Sequence, residues 1–215
     1  MNDKKLIIFD LDGTLIDSNK DLAVAVNYMR SKFNLPPHDD AAIKSFVGNG
    51  VAKLVERAIA DAPELDFSTC LAIMKEYYVE HSTDYTAPYP QVLKGLALLK
   101  QKGFILSVFT NKFTDAANLI LNKLGLGEYL DEIIGSDSGF PLKPEPEAIT
   151  YLMNKYQISK DKTYMVGDHY TDLEAGRRAE CQKVFVTYGL GKTMGETFDF
   201  QVASFMELVD FLEKQ

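Results

Sequence analysis

The sequence predicts a doubly wound α/β fold, in which helices cover both faces of a parallel sheet. Three observations lead to this prediction. Short apolar runs alternate with amphipathic helical patterns, the apolar runs end in polar residues, and one long stretch near the amino terminus carries helical patterns alone. Strands that alternate with helices of this length form a parallel sheet. We therefore predict a Rossmann-like core with a small all-helical cap domain inserted into it.

Five apolar runs are predicted to be the strands of the sheet. Each run is short and continuous rather than alternating, which is typical of a strand buried on both faces. Because ligands of such sheets bind at the carboxyl ends of the strands, the polar residues after each run form the candidate site. The runs are residues 6–9, 104–109, 133–134, 163–166 and 184–186, and they lead into residues 10–14, 110–112, 135–137, 167–168 and 187–189.

Three helices between these strands are predicted from apolar residues at helical spacing. Gly103 and Gly125 follow the first two helices and are typical stop residues. The third helix comes after a proline-rich entry at residues 143–146. The three apolar stripes are Val92, Leu96 and Leu99; Ala116, Leu119, Ile120 and Leu124; and Ile149, Leu152, Met153 and Tyr156.

Residues 17–85 interrupt the alternation, because they contain helical stripes and no convincing strand. We predict that residues 1–16 and 86–215 form the catalytic core and that residues 17–85 form a helical cap. The chain is expected to return to the core near residues 87–90. The stripes of the cap are Leu22, Val26, Met29 and Phe33; Val51, Leu54, Val55, Ala58 and Ile59; and Leu71, Met74 and Tyr78, with Tyr85 as a weaker member.

The composition limits the partners of the chain. It has 23 basic and 31 acidic residues and a formal net charge of −8, so no broad surface would neutralise nucleic-acid phosphates. A local positive pocket could still hold a small anion. No run of about 18 apolar residues and no signal-peptide pattern occurs, so we expect a cytoplasmic protein without a membrane partner. The cysteines and histidines have no metal-site spacing, and no oligomeric state is predicted.

Asp10 and Asp12 are the first candidate catalytic residues. Two carboxylates this close at the end of a buried strand repel each other unless a cation lies between them. Mg²⁺ suits such a site, because it takes few protein oxygens and keeps its remaining ligands as waters or substrate phosphate. Asp10 could then act as a nucleophile and Asp12 as a general acid and base. The alternative is that residues 10–14 form only a turn.

Three further segments carry suitable groups to the same edge. Asp168 supplies a third carboxylate, and Asp172 follows it where a helix is expected to begin, so Asp172 could equally be a helix-terminal residue. Thr110 and Asn111 could bind phosphate oxygens or could cap the next helix. Lys143 supplies a positive charge that could bridge the nucleophile and the phosphate.

Together these motifs resemble the haloacid dehalogenase superfamily over nearly the full length of the chain. Residues 10–15 match its first motif, residues 110–111 the second, residues 143–144 the third, and residues 167–168 with Asp172 the fourth. The resemblance implies Asp10 as nucleophile and metal ligand, and Asp12 as an acid and base whose backbone carbonyl binds Mg²⁺. It also implies Asp168 as a direct metal ligand and Asp172 as a residue that supports the metal or its waters.

Among capped members, the sequence is most similar to phosphoglycolate phosphatases. Residues 46–51 and 54–58 resemble the cap loop of that group. Gly48 and Gly50 flank Asn49 and would let backbone N–H groups approach a small anion. The alternative is a plain turn between helices. The resemblance implies a hydrolase that acts on a small phosphorylated metabolite, with phosphoglycolate favoured.

Several other functions are weighed against this one. Dehalogenases of the fold lack an aspartate two residues after the nucleophile, and no cap lysine resembles the Schiff-base lysine of phosphonoacetaldehyde hydrolases. A β-phosphoglucomutase is a closer alternative, but the resembling mutases carry a histidine soon after the first motif, where residues 17–21 have none. A nucleotidase or a pyrophosphatase stays open. A non-catalytic binding module would be expected to lack some of the motif residues, and all are present.

Overall fold

The structure is a computed structural model that describes residues 4–215. The strands are β1 (Leu6–Phe9), β2 (Ile16–Asp17), β3 (Ala87–Pro88), β4 (Ile105–Phe109), β5 (Glu132–Ile134), β6 (Thr163–Gly167), β7 (Gln182–Val186) and β8 (Phe200–Val202). Six of them form the main sheet in the order β5-β4-β1-β6-β7-β8, and every neighbouring pair is parallel. The predicted fold class is therefore confirmed.

Strand β1 lies inside the sheet and sets the position of the candidate site. Its four residues are fully buried, which agrees with its unbroken apolar sequence. In the register, Phe9 lies opposite Val108 of β4 and Val166 of β6. Asp10 therefore leaves the sheet beside the ends of both neighbouring strands.

Helices cover both faces of this sheet. Successive residues of β1 point to opposite faces, and since all four are apolar, each face needs an apolar cover. Ile7 and Phe9 belong to one apolar cluster, and Leu6 and Ile8 belong to another. The helices are α1 (Asn19–Ser31), α2 (Asp40–Phe46), α3 (Val51–Ala58), α4 (Phe67–His81), α5 (Val92–Gln101), α6 (Thr114–Lys123), α7 (Glu147–Tyr156), α8 (Tyr170–Arg178) and α9 (Phe205–Leu212). Helices α5, α6 and α9 contribute to the first cluster, and α7 and α8 contribute to the second.

Helices α1 to α4 pack against one another and form the region predicted as the cap. Strands β2 and β3 pair antiparallel where the chain leaves and re-enters the core. Three of the predicted cap stripe members lie outside the helices. Helix α1 ends at Ser31, before Phe33; α3 ends at Ala58, before Ile59; and α4 ends at His81, before Tyr85. The division of the chain at residues 17 and 85 stays a prediction.

The carboxyl-terminal strand β8 and helix α9 were not predicted from the sequence, and neither was helix α2. Strand β8 has three residues, of which only Val202 is buried, so it offers too few positions for a pattern. Helix α9 begins after Ser204, whose hydroxyl accepts a hydrogen bond from the Glu207 N–H group. Among residues 4–215, no helix is long and apolar enough to cross a membrane.

Candidate active site

Three buried carboxylates meet at the carboxyl ends of β1 and β6. Asp10 follows β1, Asp168 follows β6, and Asp172 lies in the first turn of α8. One oxygen from each carboxylate lies within 4.8 Å of the others. The structure thus brings together three of the residues that the sequence assigned to the metal site.

Lys143 joins this cluster from the loop before α7. Its Nζ atom lies 2.7 Å from Asp10 Oδ1 and 2.6 Å from Asp172 Oδ1, and the side chain is almost fully buried. Asn111 fixes the Lys143 backbone, because its Oδ1 accepts from the Lys143 N–H group at 2.9 Å and its Nδ2 donates to the Lys143 carbonyl at 3.1 Å. The ammonium is therefore held between the two carboxylates.

Burial controls the protonation of this cluster. It raises the pKa of Asp10 to about 6, although the neighbouring Lys143 ammonium acts to lower it. Burial, together with the charges of Asp172 and Asp10, raises the pKa of Asp168 to about 7. The pKa of Lys143 is raised, because burial acts to lower it but the attraction of Asp10 and Asp172 is stronger. Three carboxylates thus share one ammonium, which leaves excess negative charge for a cation.

The donor set fits Mg²⁺, which prefers oxygen ligands from one or two carboxylates. Asp168 is oriented by the backbone N–H groups of Leu190 and Gly191, which donate to its Oδ2 at 2.7 and 2.6 Å. Its Oδ1 accepts only a long bond, 3.4 Å, from the Thr14 hydroxyl. In contrast, both Asp172 oxygens are engaged, one by Lys143 and one by the His169 N–H group.

Asp12 lies beside this cluster, but its carboxylate belongs to a separate ion pair. Lys112 Nζ lies 2.9 and 2.8 Å from the two Asp12 oxygens, and the Ser18 hydroxyl donates to Oδ1 at 2.5 Å. The pKa of Lys112 is raised. Burial acts to lower it, but the interactions with Asp12 and Tyr78 together outweigh the effect of burial. From the sequence, Lys112 was expected at a strand end but had no predicted role, and Ser18 had none either. The signal for a role of Lys112 was its position directly after Thr110 and Asn111.

The alternative that Thr110 and Asn111 cap the next helix is wrong. Helix α6 begins at Thr114 and its N-cap residue is Phe113. Thr110 is instead buried and accepts a 3.2 Å hydrogen bond from the Lys112 N–H group. For Asp172 both interpretations hold, because its side chain accepts from the N-cap residue of α8 and also contacts Lys143.

The cap loop, residues 47–50 between α2 and α3, contacts the ends of the strands. The Gly48 carbonyl accepts a 3.1 Å hydrogen bond from Asn111 Nδ2, and a Cβ atom on Gly48 would lie 2.8 Å from the His169 ring. Asn49 Nδ2 donates to the Tyr170 hydroxyl at 2.9 Å, and its Oδ1 accepts from Arg57 at 2.9 Å. Gly50 has a φ of +86° at the start of α3, which favours glycine.

His169 is a neutral part of this interface. Burial lowers the pKa of His169 to about 4. Its Nδ1 lies 2.9 Å from the Thr171 hydroxyl, and its ring stacks at a tilt against Tyr170. His169 and Tyr170 therefore join the cap loop to the end of β6.

Two cavities open beside Asp10 and Asp12, one on each side of the cap loop. The first, which we call the inner cavity, lies between the core and helices α1, α3 and α4, and its volume is about 50 Å³. Its core side is formed by residues 110–113 with Asp10 and Asp12. The second, the outer cavity, is wider and extends past Arg57, His169 and Tyr170. A substrate bound at Asp10 could extend into either one.

Together these features define an α/β protein with a buried acidic site, bridged by a lysine, at the carboxyl ends of a parallel sheet. Comparison with known proteins identifies its family. The family model for haloacid dehalogenase-like hydrolases matches residues 7–186. The chain therefore belongs to the haloacid dehalogenase-like hydrolases.

Its relatives specify the type of enzyme. A phosphoglycolate phosphatase of Chromobacterium violaceum is 37% identical over 214 residues, which cover 97% of this chain and 96% of that protein. One of Aquifex aeolicus is 32% identical over 209 residues, 97% of each chain. A crystal structure of a predicted phosphoglycolate phosphatase from Haemophilus somnus 129pt has a TM-score of 0.92 and 32% identity, and the match covers 98% of this chain and 99% of that one. The chain is a phosphatase, as the sequence predicted.

Proposed function

We propose that the protein hydrolyses small phosphate monoesters through an aspartyl-phosphate intermediate on Asp10, with phosphoglycolate as the favoured substrate. The observation that carries this proposal is the contact of Lys143 with Asp10 inside a cluster of three buried carboxylates. A buried carboxylate paired with one ammonium is a nucleophile protected from water, and the ammonium would attract the incoming phosphoryl group.

The role of each residue is inferred from its contacts. Asp10 attacks phosphorus, so that an acyl-phosphate bond forms while the bond to the ester oxygen breaks. Lys143 orients Asp10 and stabilises negative charge on the phosphoryl oxygens. Asp12 in its protonated form donates its proton to the leaving oxygen. The carboxylate that remains, beside the Lys112 ammonium, then removes a proton from the attacking water and so regains the acid form. Thr110 and the backbone that follows β4 are proposed to bind the phosphoryl oxygens.

The cluster is proposed to hold Mg²⁺ through the side chains of Asp10 and Asp168 and the backbone carbonyl of Asp12. Asp172 supports them through Lys143 and the His169 N–H group. When bound, the ion would offset the negative charge that develops on the transferred phosphoryl group. The all-oxygen donor set and the excess of carboxylates over ammonium support this choice of metal.

Two observations support a small substrate and hydrolysis rather than transfer to a sugar phosphate. The inner cavity is narrow, about 50 Å³, and helices α1, α3 and α4 enclose it close to Asp10 and Asp12. Residues 17–21 contain no histidine, unlike the corresponding segment of the resembling mutases. The names of the relatives support phosphoglycolate among the small esters.

A phosphate-release screen tests the proposal. The panel contains phosphoglycolate, a sugar phosphate, a nucleoside monophosphate, pyrophosphate and p-nitrophenyl phosphate, each with Mg²⁺ and with EDTA. We expect Mg²⁺-dependent release that is fastest with phosphoglycolate. Release that is unchanged by EDTA would contradict the metal site, and a clear preference for a sugar phosphate or a nucleotide would contradict the substrate.

A further inference from the structure

Two polar groups in the inner cavity are not used by the proposed chemistry. The cap side of this cavity is mainly apolar and includes Leu22, Leu54 and Met74. Lys112 extends into it from the core, and Tyr78 of helix α4 faces it from the cap. The Lys112 Nζ atom lies 4.7 Å from the centroid of the Tyr78 ring. An ammonium and a phenol thus meet where a leaving group would lie.

The hydroxyl of Tyr78 is buried, and its O–H group has no acceptor. The side chain is 1% exposed, its oxygen faces the Lys112 ammonium, and the hydroxyl donates no hydrogen bond to any described residue. Burial of a polar group without a partner is unfavourable, so each such group calls for an explanation. A ligand in the inner cavity would supply the acceptor that this hydroxyl lacks.

Lys112 has one N–H donor that is not directed at Asp12, and it lies on the side of the Tyr78 hydroxyl, where the same ligand would bind. An ammonium has three N–H donors, and Lys112 directs two hydrogen bonds to the two Asp12 oxygens. Its side chain is nine-tenths buried or more, and the apolar cavity walls leave its charge poorly solvated. Such a cation favours an anionic ligand over a neutral one.

We propose that Lys112 Nζ and the Tyr78 hydroxyl form the subsite for a carboxylate on the leaving group. The inference rests on the proposed function and adds to it the residues that recognise the carboxylate of phosphoglycolate and of other phosphate esters of small 2-hydroxy acids. In these esters the carboxylate carbon is two bonds from the ester oxygen. Asp12 is the residue proposed to protonate that oxygen, and Lys112 touches Asp12, so the carboxylate reaches Lys112 when the ester oxygen reaches Asp12.

The outer cavity is a weaker choice for this carboxylate. Its Arg57 guanidinium already donates to the Phe46 carbonyl and to Asn49 Oδ1. Its wall also carries Lys44 and Lys192, but the carboxylates of Asp168, Glu174 and Glu196 line the same wall and offset the charge of these cations. Recognition of the carboxylate is therefore assigned to the inner cavity.

The test compares two alkyl esters that differ in one charge. Phosphoglycolate carries the carboxylate, and 2-hydroxyethyl phosphate has a neutral hydroxyl in its place; both need protonation of the leaving oxygen. The variants are Lys112→Met and Tyr78→Phe for the inner cavity and Arg57→Met for the outer cavity. Lys53→Met is the control, because Lys53 is exposed and pairs with Glu56 on the same helix. The measured quantity is kcat/KM for each ester, after circular dichroism has shown that each variant folds.

We expect wild type to prefer phosphoglycolate and Lys112→Met to lose roughly 10- to 100-fold of that preference, as for a charge-assisted hydrogen bond. Tyr78→Phe should lose about 3- to 10-fold, and Lys53→Met should keep the preference. Equal losses on both esters in Lys112→Met would overturn the inference, because Lys112 would then act only through Asp12. Loss of the preference in Arg57→Met alone would move recognition to the outer cavity and also overturn it.

Failure of the proposed function gives a different result. Wild type that hydrolyses both esters at the same rate keeps the phosphatase mechanism but contradicts the carboxylate subsite. Wild type that hydrolyses neither ester contradicts the proposed function, and the subsite with it. If Lys112→Met does not fold, Tyr78→Phe decides, since removing one hydroxyl from a retained ring is a smaller change.

Discussion

At the residue scale, Asp168 and Asp172 show how two carboxylates of one cluster differ in role. Asp168 Oδ2 is held by two backbone N–H groups, while its Oδ1 accepts only a long hydrogen bond. Both Asp172 oxygens already have partners within 3.0 Å. The contacts therefore favour Asp168 as a direct metal ligand and Asp172 as a residue that orients Lys143.

The first prediction separates these roles with isosteric variants. Asp168→Asn should raise the Mg²⁺ concentration for half-maximal activity by more than about 100-fold, because a charged ligand is lost. Asp172→Asn should raise it only about 10- to 100-fold, as is typical of a residue that supports a ligand. A Mg²⁺ titration of activity measures both values. Equal effects, or a larger effect at Asp172, would reverse the assignment.

The second prediction concerns pH. The pKa values of Asp10 and Asp168, about 6 and about 7, lie above the unfolded value. In this window the metal-free folded state binds more protons than the unfolded state, so its stability falls as pH rises. Mg²⁺ needs the ionised carboxylates. The rise in Tm on adding Mg²⁺ should therefore be larger at about pH 8 than at about pH 5.5.

Thermal unfolding at both pH values, with and without Mg²⁺, measures this difference. Asp168→Asn is the matched control, since it removes one of the two titrating carboxylates and should reduce the pH dependence. A Mg²⁺-induced shift that is the same at both pH values would show that no proton is displaced when the ion binds.

At the element scale, Asp21 ties helix α1 to the segment by which the chain returns to the core. This buried carboxylate accepts hydrogen bonds from the N–H groups of Tyr85 and Thr86, and at 2.6 Å from the Thr86 hydroxyl. These hydrogen bonds lie beside the β2–β3 pair, where the two connections between core and cap run next to each other. They are among the contacts that hold these connections in place.

The third prediction is that Asp21→Asn lowers the free energy of unfolding by about 2 kcal/mol, because an amide NH₂ group would face these donors. Urea unfolding of the metal-free protein measures this change. Asp17→Asn is the control, since Asp17 is exposed and accepts one bond from the Asn19 N–H group. A loss within about 0.5 kcal/mol of the control would contradict the role of Asp21.

The cap loop is the second element whose role can be tested. Asn49 contacts Tyr170 and Arg57. Gly50 is a poorer target, because its φ of +86° would strain any other residue. The fourth prediction is that Asn49→Ala raises KM for phosphoglycolate several-fold and changes hydrolysis of p-nitrophenyl phosphate less, since an activated leaving group depends less on the cap. Steady-state kinetics with both esters decide it, and identical behaviour to wild type would make the loop only a turn.

The elements that could be predicted from the sequence are those whose burial produces a recognisable pattern of apolar residues. Strand β1 is buried on both faces, so its four residues are all apolar, and the motif after it was recognised. Strand β7 starts at Gln182, two residues before the predicted run. The prediction began too late because Gln182 and Lys183 are polar and do not continue the apolar pattern. The ion pair between Lys112 and Asp12 joins residues 100 positions apart, and no local pattern reports such a pair. The position of the Tyr78 hydroxyl without an acceptor likewise depends on packing between cap and core.

At the scale of the whole molecule, the core supplies the reacting groups and helices α1 to α4 cover them. Contacts across this boundary near the site include Gly48 with Asn111, Asn49 with Tyr170, Ser18 with Asp12, and Tyr78 with Lys112. We propose that this arrangement is the closed form of a mobile cap, which would open to admit substrate and close to exclude water. The leaving group then meets both parts, whereas the phosphoryl group meets the core alone.

Asp10 is proposed to carry the phosphoryl group, and identification of the phosphorylated residue tests this role. Asp12→Asn should form the intermediate with p-nitrophenyl phosphate, whose leaving group needs no proton, and should hydrolyse it slowly because the base is missing. Peptide mass spectrometry after rapid acid quench should then find one phosphoryl group on Asp10, and none in the Asp10→Asn, Asp12→Asn double variant. Rapid release of p-nitrophenol without an adduct on Asp10, or an adduct on another residue, would contradict the account.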